Sequence, residues 1–436
     1  MEMNEHIKKI ILDFHTSKLK ILTTRSYDVT FVKDMSFSIT GPRRCGKSYR
    51  TYQFINEYIS KGNKKNDICY IQFNDNKLKS INSEDLNIID EAYFSLYPNK
   101  QNKTEVVFIF DEIHRIDGWE DYILYLLHKS YKVIITGSTS KLLQGKIAPS
   151  LRGKIFNREL LPFSFTEFAR HYNVKTKKLR LKDEVYIKNL YDKYLEQGGL
   201  PGLLDIPKWK HIETFNNYWD TMLLRDVVEA QSGTKIDIMQ LELFAQYLID
   251  RVSCPMTVRK IIDNMRSNGI SISQEKGYKY LSFLEEAYLI FKISFYSQSE
   301  KIRNRNHDKI YVVDWNLANC ISSICIDITR IFEDLIFIEL RRRGLKISYY
   351  KTREGYEIDF VTQDKYGKQQ PDLYQVSYEL SSEEVLEREI RSIVKSYKFL
   401  NAKSATIITH SESKVIKIDD EITINVIPAW KWLLND

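Results

Sequence analysis

The feature that most constrains this chain is a glycine-rich loop between a predicted strand and a predicted helix. Residues 41–48 read Gly-Pro-Arg-Arg-Cys-Gly-Lys-Ser and fit the pattern G-x-x-x-x-G-K-[ST] at every fixed position. The glycines let such a loop curl until its backbone N–H groups point inward at phosphate oxygens, and the following helix directs its positive end at the same anion. The alternative, a glycine turn beside a surface lysine, leaves the flanking strand and helix unexplained. The sequence therefore predicts a phosphate-binding loop.

Two side chains of this loop have specific expected roles. We expect Lys47 to reach the β- and γ-phosphates of a nucleotide, and Ser48 to offer its hydroxyl to Mg²⁺. The residues expected to bind the nucleotide are Gly41, Pro42, Arg43, Arg44, Cys45, Gly46, Lys47, Ser48 and Tyr49. The expected ligands are therefore ATP and Mg²⁺.

An acidic pair follows a second predicted strand. Residues 106–110 are continuously apolar, as is typical of a strand buried in a parallel sheet, and Asp111 and Glu112 come directly after them. We expect Asp111 to hold Mg²⁺ and Glu112 to orient and polarise an attacking water molecule. An apolar strand that ends in two acids is also an ordinary strand end. The phosphate loop upstream favours the functional interpretation.

A third buried strand, at 133–136, runs into Gly137 and Ser138. Ser138 is a candidate sensor of the γ-phosphate. The alternative is a helix N-cap, and one residue can serve as both.

The alternation of strands and helices in the first part of the chain predicts a parallel α/β sheet. Its strands are expected at 35–40, 68–73, 106–110 and 133–136. The chain is predicted to be helical at about 160–235. Three helices are expected within 237–292, followed by a strand at 289–293 and a loop-like junction at 304–309. Farther on we expect a helix at 329–343, strands at 346–350, 357–362 and 373–378, a helix at 383–400, and strands at 405–409 and 423–427.

The order of these motifs carries a family resemblance. A phosphate loop, an acidic strand, a polar-tipped strand and a helical lid follow one another as in AAA-type ATPases. In detail the chain resembles a bacterial and archaeal family of AAA-like ATPases of poorly defined role. The matching segments are 41–48, 111–114, 118–119, 136–140, 150–154, 161–168, 198–201 and 224–227. In that family the ATPase precedes a winged helix and a restriction-endonuclease-like domain.

This resemblance implies an α/β fold class with a P-loop AAA-type parallel sheet core. A helical lid, a winged-helix domain and an α/β nuclease-like domain complete the expected architecture. The implied boundaries are 1–160 for the AAA-type core, 161–235 for the lid, 236–318 for the winged-helix domain and 319–436 for the restriction-endonuclease-like domain.

A short arginine-containing motif departs from the family pattern. The family's motif usually ends Gly-Arg, whereas here Gly153 is followed by Lys154. Arg152 is the candidate arginine finger or sensor, with a solvated surface charge as the alternative. Lys154 is a poorer candidate because an ammonium cannot fork onto phosphate oxygens.

The middle of the chain reads as a helix–turn–helix. Thr257 and Ser273 are expected to cap its two helices, and the second helix would expose Gln274, Lys276 and Lys279 to a major groove. A predicted wing strand follows, and then a basic stretch formed by Lys301, Arg303, Arg305 and Lys309. The two interpretations are DNA contact and packing against protein.

The last part of the chain resembles a PD-(D/E)xK nuclease core with altered chemistry. Glu333 lies on the helix that precedes the core strands, and Asp359 fits the first acid of the core. The chemistry of such a core needs a metal ion held by acids and a lysine beside the attacking water. Gln375 stands where the second acid belongs, and Ser377 stands where the lysine belongs. The sequence therefore predicts a degenerate, nuclease-like domain. The alternative role for Glu357 and Asp359 is salt bridging to Lys351 or Arg353.

Charge and cysteine content add expectations about partners and location. The chain's net charge of +7 is mild, yet residues 146–182 contain ten basic and two acidic side chains. This basic segment is either a solvated face or a surface that contacts nucleic-acid phosphates. Five scattered cysteines indicate free thiols in a cytoplasmic protein. No apolar run approaches the ~18 residues that span a bilayer, so we expect no membrane partner. Both a monomer and an oligomer are compatible with the sequence.

The function hypothesis is an AAA-type ATPase that hydrolyses ATP with Mg²⁺ and couples hydrolysis to rearrangement of its winged-helix and nuclease-like domains, with DNA as the candidate partner. The alternatives are a nucleotide-gated DNA-binding regulator with little turnover and a metal-dependent DNA nuclease.

Overall fold

A computed structural model describes most of the chain: residues 2–27, 29, 31, 35–138, 151–176, 181–231, 235–380 and 382–435. The chain divides into two units, Met1–Leu161 and Pro162–Asp436. Within the described ranges, no helix has the length and apolar character needed to cross a bilayer.

The first unit is built on a five-stranded sheet in which every pairing is parallel. Its strands are β1 (Ser36–Thr40), β2 (Ile68–Gln72), β3 (Val107–Asp111), β4 (Lys132–Gly137) and β5 (Ile155–Glu159). The strand order is β2-β3-β4-β1-β5. The predicted parallel α/β sheet is therefore confirmed. Parallel order brings the carboxyl ends of β1, β3 and β4 to one edge, next to the glycine-rich loop.

Strand β5 is the one part of this sheet that the sequence analysis did not predict. It lies at the edge of the sheet beside β1, and of its five residues Ile155 alone is fully buried. An edge strand of this kind lacks the continuous apolar run that identified β3 and β4, so hydrophobic pattern alone does not find it.

Helices of the first unit cover the sheet and enclose an aromatic-rich core. They are α1 (Glu2–Thr16), α2 (Lys47–Ser60), α3 (Asn87–Leu96) and α4 (Glu120–His128). One face of α4 is buried, since Tyr122, Ile123 and Leu126 pack into the same cluster as Phe108 and Phe110 of β3. Close-packed aromatic rings thereby hold β3, the strand that ends at the acidic pair, in place.

The second unit begins with helices, as the sequence predicted for this stretch. They are α5 (Phe165–His171), α6 (Leu181–Gln197) and α7 (His211–Thr221), and a π-helical segment covers Met222–Val228. Ser164 caps α5 in a capping box with Glu167, which explains where that helix begins.

Three helices and a small antiparallel sheet follow. The helices are α8 (Ile238–Ile249), α9 (Val258–Ser267) and α10 (Gln274–Glu286), and the sheet contains β6 (Pro255–Met256), β7 (Ile290–Ile293) and β8 (Asp308–Val312) in the order β6-β8-β7. The predicted caps form, because Thr257 and Ser273 accept hydrogen bonds from the backbone of α9 and α10. The loop-like junction expected at 304–309 is shorter in the structure, where residues 306 and 307 lie between α11 (Glu300–Arg305) and β8.

The last part of the second unit is a six-stranded mixed sheet with helices against it. Its strands are β9 (Lys346–Lys351), β10 (Glu357–Gln363), β11 (Asp372–Val376), β12 (Ser404–Thr409), β13 (Lys414–Lys417) and β14 (Thr423–Pro428), in the order β13-β14-β12-β11-β10-β9. The helices are α12 (Trp315–Ile321), α13 (Ile328–Arg342), α14 (Glu383–Leu400) and α15 (Ala429–Leu434). The two expected domain boundaries inside the second unit, at 235/236 and 318/319, stay predictions.

Candidate functional site

The glycine-rich loop has the backbone conformation that its two glycines permit. Gly46 has a positive φ of 96°, and α2 begins at the next residue. At Gly41, where φ is 151°, a Cβ atom would lie 2.1 Å from the backbone oxygen of Leu160. A side chain is thus excluded at position 41 by contact and disfavoured at position 46 by conformation.

Lys47 is folded into this loop. Its side chain is 5% exposed, and Nζ donates hydrogen bonds to the backbone oxygens of Gly41 at 3.1 Å and Pro42 at 3.0 Å. The same Nζ lies 3.7 Å from Oε1 of Glu112. The ammonium therefore lies between the loop and the acidic pair, as expected of a lysine that neutralises phosphate.

Asp111 is fully buried at the carboxyl end of β3 and is held by hydroxyl donors. Tyr70 donates to Oδ2 at 2.9 Å, Thr136 donates to Oδ1, and Ser48 also forms a hydrogen bond to this carboxyl group. Burial raises the pKa of Asp111, and these hydrogen bonds oppose the rise. The two residues expected to hold Mg²⁺, Ser48 and Asp111, are thus in contact.

Glu112 stands in a left-handed backbone conformation, with φ of 61°, just beyond β3. Its backbone N–H donates to Oγ1 of Thr136 at 3.0 Å, which fixes this turn. Burial raises the pKa of Glu112, but the positive charges around it, with Lys47 first among them, outweigh burial and hold the pKa below its usual value. The side chain is therefore an ionised carboxylate at neutral pH.

His114 joins the predicted sensor to the acidic pair, a role that the sequence analysis did not assign. Its Nδ1 lies 3.5 Å from Oε2 of Glu112, and its Nε2 lies 3.4 Å from Oγ of Ser138. Ser138 is buried directly after β4, and its role as a sensor stays a prediction. The signal in the sequence was the spacing of Glu112 and His114 across one short turn.

Arg25 is a second residue that the sequence analysis missed. It is buried, and its guanidinium donates to the backbone oxygens of Cys45 at 2.9 Å and Leu161 at 2.6 Å. Arg25 thus braces the phosphate loop from behind. No motif surrounds it, so spacing alone does not reveal it.

The remaining residues predicted to bind nucleotide differ in exposure. Pro42 and Cys45 are buried, Arg43 is half-buried, and Arg44 and Tyr49 are exposed. Burial raises the pKa of the Cys45 thiol, which makes it a packing residue.

The two predictions that depend on the basic region are only partly covered by the structure. Arg152 is exposed just before β5, and its role as an arginine finger stays a prediction. Of the segment 146–182, residues 146–150 and 177–180 lie outside the described residues, so the expected basic surface also stays a prediction.

A second group of acids lies in the second unit. Glu333 of α13, with Glu357 and Asp359 of β10, surrounds the ammonium of Lys309 from β8, and we call these four residues the Lys309 cluster. Lys309 Nζ lies 2.8 Å from Glu357 Oε1, 3.2 Å from Glu333 Oε1 and 3.4 Å from Asp359 Oδ1. The expectation that Lys309 belongs to a basic DNA-facing stretch is wrong, because this residue is 1% exposed.

The charges of the Lys309 cluster strongly perturb one another. Burial and the neighbouring Glu333 raise the pKa of Asp359 to about 8, although Lys309 opposes the rise. Burial lowers the pKa of Lys309, but its three acidic partners outweigh burial and hold the pKa above its usual value. The ammonium therefore stays charged at neutral pH.

Gln375 and Ser377, the two altered positions of the nuclease-like core, add no charge to this cluster. Gln375 is buried, and its Oε1 has no hydrogen-bond partner among the described residues. The Ser377 hydroxyl donates to the backbone oxygen of Glu379 at 2.9 Å. The predicted salt bridge from Glu357 to Lys351 forms at 3.2 Å.

The α10 helix presents a less basic face than the sequence suggested. Lys276 is half-buried and donates to Gln240 at 2.5 Å, while Lys279 pairs with Glu275 at 2.8 Å. Gln274 is exposed as expected. DNA contact through this helix stays a prediction.

Two family models match the chain. Residues 33–169 match an AAA domain, and residues 188–325 match a domain of unknown function, DUF8612. The first match contains the phosphate loop, the acidic pair and Ser138.

Two curated relatives span nearly the whole chain. An uncharacterized protein of Methanocaldococcus jannaschii is 33% identical over 443 residues, covering 98% of this chain and 95% of the relative. An uncharacterized protein of Haemophilus influenzae is 28% identical over 412 residues, covering 94% and 95% of the two chains.

Among solved structures, the chain is similar to a Walker-type ATPase of Pyrococcus abyssi, with 15% identity and a TM-score of 0.37 over 73% of this chain and 95% of that one. The AAA match and the five-stranded parallel sheet agree with the expected fold class, an α/β P-loop core of the AAA type.

Proposed function

This chain belongs to the same protein family as the Methanocaldococcus jannaschii relative and carries an AAA-type P-loop core, and from that premise we propose that it is an ATPase. In this proposal the first unit hydrolyses ATP with Mg²⁺. The free thiols of its cysteines suit a cytoplasmic setting.

The observation that carries the proposal is the placement of Lys47. Its ammonium lies within 3.1 Å of two loop carbonyls and 3.7 Å from Glu112. A lysine held by neutral carbonyls can exchange them for phosphate oxygens at small cost, since both are hydrogen-bond acceptors and the phosphate adds charge attraction. The loop, the lysine and the acid thus converge on the place where a γ-phosphate would be cleaved.

The chain's own residues have separate roles in this reaction. Lys47 binds the phosphates, and the N-terminus of α2 adds its positive end to the same anion. Ser48 and Asp111 fit Mg²⁺, because a hydroxyl and a buried carboxylate already meet there, and the bound ion would neutralise charge on the phosphates.

Glu112 is the group that acts on water. It is ionised at neutral pH, so it can accept a hydrogen bond from the attacking water molecule and orient it. His114 lies between Glu112 and Ser138, and Ser138 is the group that would report the presence of the γ-phosphate. Arg152 is the candidate for compensating charge in the transition state.

The proposal also assigns an output to hydrolysis. ATP turnover rearranges the elements of the second unit, and DNA is the candidate partner. Support for DNA comes from exposed polar and basic residues at Gln274, Lys279, Lys301 and Arg305, on the α10 helix and the short α11 helix.

Phosphate release tests the proposal. We expect Lys47→Ala and Glu112→Gln each to lower turnover by about 100-fold or more, because each removes a group that acts on the transferring phosphate or its nucleophile. The matched control is Lys61→Ala, which removes an exposed lysine just beyond the end of α2. Unchanged turnover in Lys47→Ala would defeat the ATPase assignment.

The same assay run with single- and double-stranded DNA tests the partner. Stimulation of wild-type turnover by either DNA supports the coupling to DNA. Turnover that is insensitive to both removes DNA from the proposal and leaves the ATPase assignment intact.

A further inference from the structure

In the Lys309 cluster, the number of acidic acceptors equals the number of N–H donors on the lysine ammonium. An ammonium carries three N–H donors and no acceptor. Three carboxylates, from Glu333, Glu357 and Asp359, each place one oxygen within 3.4 Å of Lys309 Nζ. The lysine therefore has one acidic partner for each of its hydrogens.

The carboxyl groups of the cluster also face protein donors other than Lys309. Asp359 Oδ2 accepts a hydrogen bond from the backbone N–H of Val376 at 2.9 Å, and Glu357 Oε2 lies 3.2 Å from Nζ of Lys351. Glu333 Oε1, the same oxygen that contacts Lys309, also accepts a hydrogen bond from the Tyr311 hydroxyl at 2.7 Å. Oxygens that a metal ion would need are thus already engaged by hydrogens of the chain.

A divalent cation does not fit among these groups while Lys309 is present. Mg²⁺ and Ca²⁺ need several oxygens at roughly 2.0–2.6 Å. The cluster instead places its oxygens 2.8–3.4 Å from a buried positive charge that would repel a second cation. Among the residues that the structure describes, no group of three His, Cys, Asp or Glu side chains could hold a metal ion.

The cluster also joins elements that are far apart in sequence. Lys309 and Tyr311 alternate on β8, so both point to one face of that strand and both contact Glu333 of α13. Glu357 and Asp359 alternate in the same way on β10. A buried ammonium is thereby shared between a strand of the small antiparallel sheet and elements of the six-stranded sheet region.

From this geometry we propose that Lys309 is a built-in cation, which takes the place of a divalent metal ion at the nuclease-like site and fastens β8 to α13 and β10. In this proposal the acids of the site hold the lysine. The site has a structural role and performs no metal-dependent cleavage.

The test replaces Lys309 by methionine, which keeps the length of the side chain and removes its charge. We expect Lys309→Met to lower the midpoint of thermal unfolding by about 10 °C, because the acids of the cluster, of which Glu333 and Asp359 are buried, lose their cation. Added Mn²⁺ should then restore about 5 °C, and Mn²⁺ titration should count an additional ion per chain relative to wild type. The ATP site is unchanged in both proteins, so its own Mn²⁺ binding cancels in the comparison.

Lys351→Met is the matched control. Lys351 contacts Glu357 in the same cluster, but its side chain is 48% exposed. We expect its loss to leave the unfolding midpoint within about 1 °C of wild type and to create no Mn²⁺ site.

Two results would overturn the proposal. One is a folded Lys309→Met protein that gains no Mn²⁺ ion. The other is a Mn²⁺ ion in the wild type that Asp359→Asn removes, since the site would then take metal with the lysine in place.

If Lys309→Met does not fold, the double variant Lys309→Met/Glu333→Gln provides a second measurement. It removes one negative charge together with the positive one, so we expect it to recover part of the lost midpoint. A double variant that is no more stable than Lys309→Met would contradict the charge argument. Plasmid DNA incubated with the wild type and Mn²⁺ should stay intact, and cleavage that Asp359→Asn abolishes would also contradict the proposal.

Discussion

Each of the two units of this chain contains a buried lysine next to carboxyl groups, and the surroundings of the two lysines differ. Lys47 donates to two neutral backbone carbonyls and lies 3.7 Å from one acid, Glu112. Lys309 lies within 3.4 Å of three acids. The partners of Lys47 are neutral carbonyls, which a phosphate group can replace. The partners of Lys309 are acids, which bind the ammonium more strongly than an incoming anion could.

The difference teaches how to distinguish a ligand site from a structural ion pair. Burial does not separate them, since the side chains of both lysines are at most 5% exposed. The kind of partner does. Neutral acceptors on a glycine-rich loop leave the charge of Lys47 available to an anion. The acids around Lys309 neutralise its charge, so it cannot attract a further anion.

Substituting each of the two lysines by methionine, one at a time, gives the largest expected effects on turnover and stability. Lys47→Met should lower ATP turnover by about 100-fold or more and leave stability nearly unchanged. Lys309→Met should lower the free energy of unfolding by about 3–5 kcal/mol and leave turnover within about twofold. Phosphate release and thermal unfolding of both variants check this crossed pattern. A Lys309→Met protein that is stable but inactive would break the comparison.

The pH dependence of stability separates the two sites next. In the Lys309 cluster the pKa of Asp359 is raised to about 8, so the folded chain holds a proton that the unfolded chain releases at lower pH. Stability from this group is present in acid and is lost as the pH rises toward about 8. At the ATP site the lowered pKa of Glu112 has the opposite effect, since its contribution is lost only in acid.

Unfolding midpoints of wild type and Asp359→Asn between pH 5 and 8.5 measure this effect. The wild-type midpoint should fall more steeply with rising pH than that of the variant. All other buried acids are common to both proteins, so parallel curves would show that Asp359 is ionised throughout and would contradict the raised pKa.

Much of the first unit could be predicted from sequence because its constraints are local. Continuous apolar runs identify β3 and β4, and a fixed glycine spacing identifies the loop. The contacts made by Arg25 and Lys309 could not be predicted in this way. Each depends on partners far away in sequence, 136 residues for Arg25 and Leu161 and 50 for Lys309 and Asp359, which no local pattern records.

The C-terminal site illustrates the same limit from the other side. The sequence identified Glu333 and Asp359 as acids of a nuclease-like core, and the substitutions at Gln375 and Ser377 as a loss of its chemistry. It placed Lys309 in a basic stretch, because a lysine among arginines reads as a solvated face. Its partners instead lie on α13 and β10, which follow it by 24 to 50 residues in the sequence.

Two buried tyrosines give a matched and smaller test. Tyr311 donates to Glu333 at 2.7 Å and Tyr70 donates to Asp111 at 2.9 Å. Tyr311→Phe should cost about 1.5–3 kcal/mol of stability with turnover unchanged, because a buried carboxylate loses a hydrogen bond. Tyr70→Phe should alter the Mg²⁺ concentration needed for half-maximal turnover. An equal effect of both substitutions on turnover would contradict the division of roles.

The smallest expected effect concerns His114. His114→Ala should lower the maximal turnover rate by about tenfold with little change in the apparent affinity for ATP, since the histidine positions Glu112 and Ser138 and does not touch phosphate. Ser138→Ala in the same background should add less than its effect alone, because the two residues act together. Fully additive losses would show that His114 works independently of the sensor.

The close contact at Gly41 has a consequence for how the chain leaves its first unit. The backbone of Leu160 lies against Gly41 and donates to Thr40 at 2.7 Å, and Arg25 holds Cys45 and Leu161 with one guanidinium. The covalent link to residue 162 therefore shares its anchor with the loop that binds phosphate. A displacement of that loop would therefore act directly on the backbone of Leu160 and Leu161, the last two residues of the first unit.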